Sequence, residues 1–509
     1  MDPILLGVSD TIESEFDAEV YKNLSPLEKY HSLLFNSVDK LFGFLGTNRE
    51  TLKPYLTDFV SVEAQSLGRE GYGFTIKDAN DMGFGGLACH IVDLGGASVG
   101  GAIAQAHTIV KANPYAVVLV AAADIPKSVF KQVSDLKRLT ATVCHKDWEM
   151  PYGATLIGLY SLLCERMMFD TGVTSDDLEV ITKHFRTLAE TNPRAFQYQK
   201  PMVEKQLQKP LSGVYSTPMI AIVTDHGFAT LITSEFMKQK LIDKKVIKAD
   251  AKHIYVIGSG HSAHAEYLIQ KKDLKSPADL ACERAVASSG ISRSEIDYAW
   301  IYDCFTGMVI HEASLYFGVS PKDTANALRN GKISNGTKEI PINLGGGILN
   351  YQAAMAISGA TGLVDIASQY GLSVHPIPKV LSEPPKVSLL GGNGGIDSIN
   401  SVILFAKDKT ERVSKEPMEL KALEVNVPSP KEKEKATILS ATTIYFNPGG
   451  EKKPPYLIVC STKENGEMVL TNLYNKEGKE IVSKEGLELG KTKVEFQLID
   501  GKIQAVVLD

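Results

Sequence analysis

The sequence predicts an α/β fold followed by a small all-β domain, and three observations carry that prediction. Through the first 408 residues, short β-branched runs alternate with longer amphipathic stretches, as in a parallel or mixed sheet covered by helices. A glycine-rich turn leading into a helix rich in alanine and glycine occurs twice, at Gly95–Ala112 and at Gly345–Ala360 with Gly391–Asp397 nearby, which points to duplication of one α/β unit. Between Lys407 and Lys435 the chain becomes crowded with Lys and Glu and holds Pro417, Pro428 and Pro430, so it reads as a solvated linker; short alternating runs follow it.

Taken in order, the predicted strands of the α/β part are Pro3–Val8, Phe59–Ser66, Ala116–Ala123, Phe228–Thr233, His253–Gly258, Tyr298–Tyr302, Val387–Leu390 and Ser401–Ala406. Helical stretches lie between them at Pro26–Leu45, Gly100–Ala112, Thr155–Thr171, Ser175–Asn192, Ser276–Ser289 and His311–Phe317. Ser175, followed by Asp176 and Asp177, is the expected cap of its helix, because a hydroxyl and early acids satisfy free amides and the dipole. Beyond the linker, Thr437–Phe446, Tyr456–Ser461, Met468–Tyr474, Val494–Leu498 and Ile503–Leu508 are strands separated by turns such as Asn447–Gly450 and Asn465-Gly466. The predicted domains are 1–240 and 241–408 for the two halves, 409–435 for the linker and 436–509 for a small β-barrel.

Composition narrows the function. With 509 residues, 44% hydrophobic, the chain can bury a large core, and a formal charge of −6 leaves no basic footprint for nucleic acid. The start, Met1-Asp2-Pro3, lacks the basic region of a signal peptide, and no apolar run approaches the roughly 20 residues of a membrane span. Six cysteines without CxxC spacing favour reduced thiols and a cytoplasmic location. His261 and His264 lie three apart without a third ligand at sensible spacing, so no metal is expected.

Glycines at 95, 96, 100 and 101 precede a helix, and Asp124 ends the next strand, but this is not the Gly-x-Gly-x-x-Gly spacing of a dinucleotide fold. A purely structural reading, in which small residues let the helix pack closely, stays open. The ordered set Gly95–Asp124, Pro151–Ala154, Glu190–Ala195, Pro218-Met219 with Thr224–Thr230, Gly258–Gly260, Tyr302–Thr306, Asn343–Gly347 and Gly391–Gly395 resembles the thiolase superfamily. In particular it is similar to sterol carrier protein-type thiolases and the thiolase-like type 1 group.

The resemblance implies a duplicated five-layer fold with an acyl-CoA site between glycine-rich loops, and an OB-like C-terminal domain acting as a docking element or lid. It implies coenzyme A thioester as substrate or ligand, no other cofactor, no nucleic-acid partner, and leaves a homodimer open. It also locates the chemistry. The acylated cysteine of a thiolase aligns with Gly96, and Cys89 lies seven residues upstream. Where the family has Gly-His-Pro this chain runs Ile348–Met355; the second cysteine aligns with Leu389; and the His of His-Asp-Cys-Phe is Tyr302.

Thiolase chemistry by the usual ping-pong route is therefore not expected. Tyr302 and Ser98 are the candidate catalytic residues. Gly96, Asp303, Asn343, Gly346, Gly347, Gly391, Gly392 and Asn393 are the candidate substrate-binding residues, with Asn393 as a side-chain donor and the glycine amides as an oxyanion site. His311 and Glu312 either partner Tyr302 or form a helix-surface pair. Two functions compete: retro-aldol cleavage beside a thioester, with tyrosine as acid or base, and non-catalytic CoA or lipid binding. An acetyl-CoA acetyltransferase label would fit the fold but not these residues.

Overall fold

The computed structural model describes residues 3–67, 74–132, 135, 140–417, 423–447, 450 and 452–508. Residues 418–422 of the predicted linker and the middle of the turn at 447–450 lie outside them. The first half holds β1 (Pro3–Ile12), α1 (Pro26–Phe44), β2 (Asp58–Val62), β3 (Ala88–Val92), α2 (Ser98–Ala112), β4 (Val117–Asp124), α3 (Leu156–Thr171), α4 (Ser175–Glu190) and β5 (His226–Ser234). The second half holds β6 (Ile254–Ala263), α5 (Ala278–Ser289), β7 (Tyr298–Trp300), α6 (Thr306–Phe317), α7 (Gly359–Gln369), β8 (Val387–Gly394) and β9 (Ile399–Ala406).

Strand order makes the duplication explicit. The first half runs β3-β2-β4-β5-β1, with β5 antiparallel to both neighbours; the second runs β6-β9-β8-β7, with β9 antiparallel to both of its own. A parallel bridge from Ala299 to Ile342 supplies the missing outer position. Each half thus repeats one topology in mirror order, joined where β1 pairs with β6 at Ile4–Tyr255 and Leu5–Ile254.

Period-2 alternation divides the strands between two cores. In β4, Val117, Leu119, Ala121 and Ala123 face an outer core, while Val118, Val120 and Ala122 face a central one. That central core contains α2 and α7: α2 packs on β2 and β4 of one half and on β8 and β9 of the other. With α1 outside one sheet and α5 and α6 outside the other, the molecule has five layers. The small side chains of α2 serve this packing, since a Cβ on Gly100 would strike Ser401 and one on Gly101 would stand 2.6 Å from Leu94.

Three local expectations need correction. The cap of α4 is Thr174, whose hydroxyl accepts the Asp177 amide while Asp177 reaches back to the Thr174 amide; Ser175 is already inside the helix. Gly345–Ala360 is not one helix but a single turn, Gly347–Asn350, then an irregular run through Met355 at φ 49°, and α7 begins only at Gly359. His311–Phe317 is the end of a helix that starts at Thr306.

The C-terminal sheet comprises β10 (Lys435–Ile444), β11 (Tyr456–Lys463), β12 (Met468–Thr471), β13 (Leu473–Tyr474), β14 (Lys493–Ile499) and β15 (Lys502–Val507). Its order is β12-β11-β10-β14-β15-β13, around its own core of Ile438, Leu457, Val459, Val494 and Phe496. It docks behind α3: Thr442 Oγ1 donates to Ser161 Oγ at 2.9 Å, Ser440 Oγ to the Leu162 carbonyl at 2.8 Å, and the Tyr456 hydroxyl to the Gly153 carbonyl at 2.7 Å. Ser212, from the first half, adds to the same sheet against Ile444. No helix among the described residues is long and apolar enough to cross a membrane.

Candidate functional site

Strand β7 ends at Trp300, and the chain then passes through Tyr302, Asp303 and Cys304 into α6. A parallel strand releases these residues at its carboxyl end, where open α/β sheets bind ligands. Tyr302 is 6% exposed, and its ring meets that of Trp300 edge-on at 6.0 Å. The Ser358 side chain lies beside its hydroxyl.

The same hydroxyl lies over the turn before α2. A Cβ on Gly96 would stand 2.5 Å from Tyr302 Cζ, and closer still to the tyrosine oxygen and the Asn393 carbonyl oxygen. Only glycine lets the tyrosine and the β8 backbone meet there. Burial, with Cys304 and Glu312 nearby, drives the Tyr302 phenol well above its ordinary value. At neutral pH it is a neutral hydroxyl, able to donate a hydrogen bond or a proton but unsuited to act as a base.

Several expected binding residues are engaged elsewhere. Asp303 accepts the Ile348 amide at 2.8 Å and the Leu349 amide at 3.1 Å, capping the turn Gly347–Asn350. Burial pushes its carboxyl up to about 7 against the pull of those two bonds. Asn343 clasps Ile301, accepting its amide at 2.9 Å and donating to its carbonyl at 2.8 Å. A Cβ on Gly347 would strike Asp303; on Gly346, Ala189 at 2.7 Å; on Gly391, Tyr316 at 2.8 Å; and on Gly392, Ser401 at 2.7 Å. Internal packing therefore accounts for these four glycines. Ser98 is spent on the turn: its hydroxyl donates to the Gly95 carbonyl at 2.6 Å and accepts the Leu94 amide at 2.8 Å, with no base against it.

A model of the thiolase C-terminal domain-like family matches residues 260–407. The chain is 28% identical over 246 residues to the benzoylsuccinyl-CoA thiolase subunit BbsB of Thauera aromatica, covering 46% of this chain and 60% of that one. A solved monomeric SCP2-thiolase-like protein type 1 from Mycobacterium smegmatis superposes with a TM-score of 0.71 at 16% identity, over 100% of this chain and 99% of that one. The chain is thiolase-like: residues 260–407 match the thiolase C-terminal domain family, and the whole chain shares the fold of the SCP2-thiolase-like protein. A steroid side-chain-cleaving aldolase of Thermomonospora curvata is 23% identical over 233 residues, 45% of this chain and 58% of that relative. The match spans about six-tenths of the length of the first of these curated relatives.

In this thiolase-like chain the residues beside Tyr302 are as informative as Tyr302 itself. Cys304 is partly exposed, where α3 and α6 meet. Burial of its thiol and the nearby Glu312 push it well above its ordinary value, so it is held as a neutral thiol. Tyr160, from α3, donates to the Gly395 carbonyl at 2.5 Å, and its ring packs tilted against Phe305 with centroids 4.4 Å apart.

Glu312 is fully buried, which rules out the helix-surface pairing with His311. Its Oε1 accepts Asn393 Nδ2 at 2.6 Å, so the amide expected to serve a substrate oxygen is tied to a carboxyl group. The signal for Glu312 was present in the sequence: a lone acid in the apolar stretch Met308–Phe317.

Proposed function

We propose that this chain handles acyl-CoA thioesters without a covalent cysteine intermediate, cleaving a carbon–carbon bond beside the thioester by retro-aldol chemistry. The observation that carries the reading is the Tyr302 hydroxyl seated over the N-terminus of α2, in the volume a side chain at Gly96 would take. In such a cleavage the β-hydroxyl gives its proton to solvent, the Cα–Cβ bond breaks to leave a carbonyl product, and the acyl-CoA enolate takes a proton at Cα from the Tyr302 hydroxyl, which solvent then reprotonates. A neutral phenol at a water-poor site suits the last step, donating to the enolate as charge develops on it. The aldolase relative supports the same direction. The C-terminal sheet supports an OB-like reading, because β13 lies parallel to β15 and continues β12 past Asn472, closing the sheet.

A second reading, a non-catalytic CoA or lipid binder, draws on a groove of about 530 Å³ between α3 and the C-terminal sheet, with Met168, Phe169, Val214, Leu487 and Leu489 on its walls alongside the charged Glu165, Lys484, Glu485, Glu488 and Lys491. Tyr302→Phe separates the two. Retro-aldol chemistry predicts that cleavage of a β-hydroxyacyl-CoA falls by roughly a hundredfold or more while acyl-CoA binding by calorimetry persists. Wild-type protein that binds but cleaves none of a panel of β-hydroxyacyl-CoAs would leave only the binder.

A further inference from the structure

The proton on Glu312 can be located from its neighbours. The Tyr316 hydroxyl oxygen lies 2.9 Å from Asn400 Oδ1 and 3.2 Å from Glu312 Oε2, and a hydroxyl has one proton to give. Asn400 is oriented by its other end, where Nδ2 donates to Asp397 Oδ1 at 3.0 Å. Asp397 faces Lys271 Nζ at 3.9 Å and His311 Nε2 at 3.5 Å, and although burial opposes it, these groups hold its carboxyl below the usual range. Asn400 Oδ1 is therefore an acceptor, the Tyr316 proton goes to it, and the contact between Tyr316 and Glu312 requires a proton on Glu312. The titratable groups that face Glu312 are Asp397, Asp303, Tyr302, Cys304 and Tyr316, and none of these is a cation.

That acid fixes Asn393. With Nδ2 turned to Glu312, Asn393 Oδ1 is left buried without a partner, on a residue whose own carbonyl abuts Gly96 beside Tyr302. A buried acceptor left empty is unfavourable, and a ligand hydroxyl would fill it. We propose that Glu312 is a positioning residue that, as a neutral carboxylic acid, holds Asn393 Oδ1 ready to accept a substrate hydroxyl, so that the site selects β-hydroxyacyl thioesters over the same thioesters without the hydroxyl. The inference rests on the acyl-CoA reading above and adds to it the polar group that distinguishes one thioester from another.

Calorimetric titration of the full chain with 3-hydroxybutyryl-CoA and with butyryl-CoA tests it. Wild type binds the hydroxy compound about tenfold more tightly, the size of one well-placed hydrogen bond. Glu312→Gln, which can accept from Asn393 and donate to Tyr316 through its amide, keeps that preference. Glu312→Leu and Asn393→Leu bring the two thioesters to equal affinity. Equal affinities in wild type, or loss of the preference in Glu312→Gln, overturn the inference and leave the acyl-CoA reading standing. No binding of either thioester overturns both.

Discussion

Gly96 and Tyr302 are complementary: one has no side chain where the other places its hydroxyl. A thiol at Gly96 would sit at a helix N-terminus, the setting that lowers a cysteine pKa and makes it nucleophilic. The phenol in that space is shifted the opposite way by burial, which suits an acid that never forms a bond to the acyl group. Gly96→Ala is expected to lose about 1–3 kcal/mol of stability, the usual cost of forcing a methyl into a packed interior. Denaturant unfolding measures it. Combining Gly96→Ala with Tyr302→Ala should recover part of the loss, since the Asn393 carbonyl still crowds the site. Full additivity of the two changes would mean that the tyrosine does not fill that space.

At the scale of elements, α4 offers a sharp test of how its start is specified. Thr174→Ala removes the hydroxyl that accepts the Asp177 amide and should cost about 1 kcal/mol. Ser175→Ala should stay within about 0.5 kcal/mol, and thermal melts of the two variants compare them directly. The buried strands were legible because β-branched runs with two apolar faces, such as Val117–Val120, have few alternatives to a covered sheet. Ala88–Val92 was missed because an edge strand with half-exposed Cys89 and His90 carries no such run. The irregular segment 351–358 looked helical because alanine and glycine give little signal, while positive φ at Met355 depends on packing that composition does not record. At the site, Tyr302 was singled out by the resemblance, as the residue in place of the His of His-Asp-Cys-Phe. The roles of Asn343, Asp303 and the glycines were not, because each is decided by a neighbour distant in sequence, as Gly346 is by Ala189.

For the whole molecule, one topology is used twice, and the two copies close on a shared layer formed by α2 and α7. The candidate site lies where the turn before α2 from the first copy meets β7, α6 and β8 from the second, so neither copy builds it alone. The C-terminal sheet stands one helix away, against α3, whose Tyr160 reaches the same glycine-rich loop at Gly395. On the proposed function the thiolase-like scaffold is kept while the covalent step is absent. Intact-protein mass spectrometry after incubation with acetyl-CoA and 3-hydroxybutyryl-CoA tests that claim most directly. The mass of the unmodified chain should persist throughout turnover, whereas an acyl adduct that forms and decays with the reaction, on Cys304, Cys89 or Ser98, would contradict it.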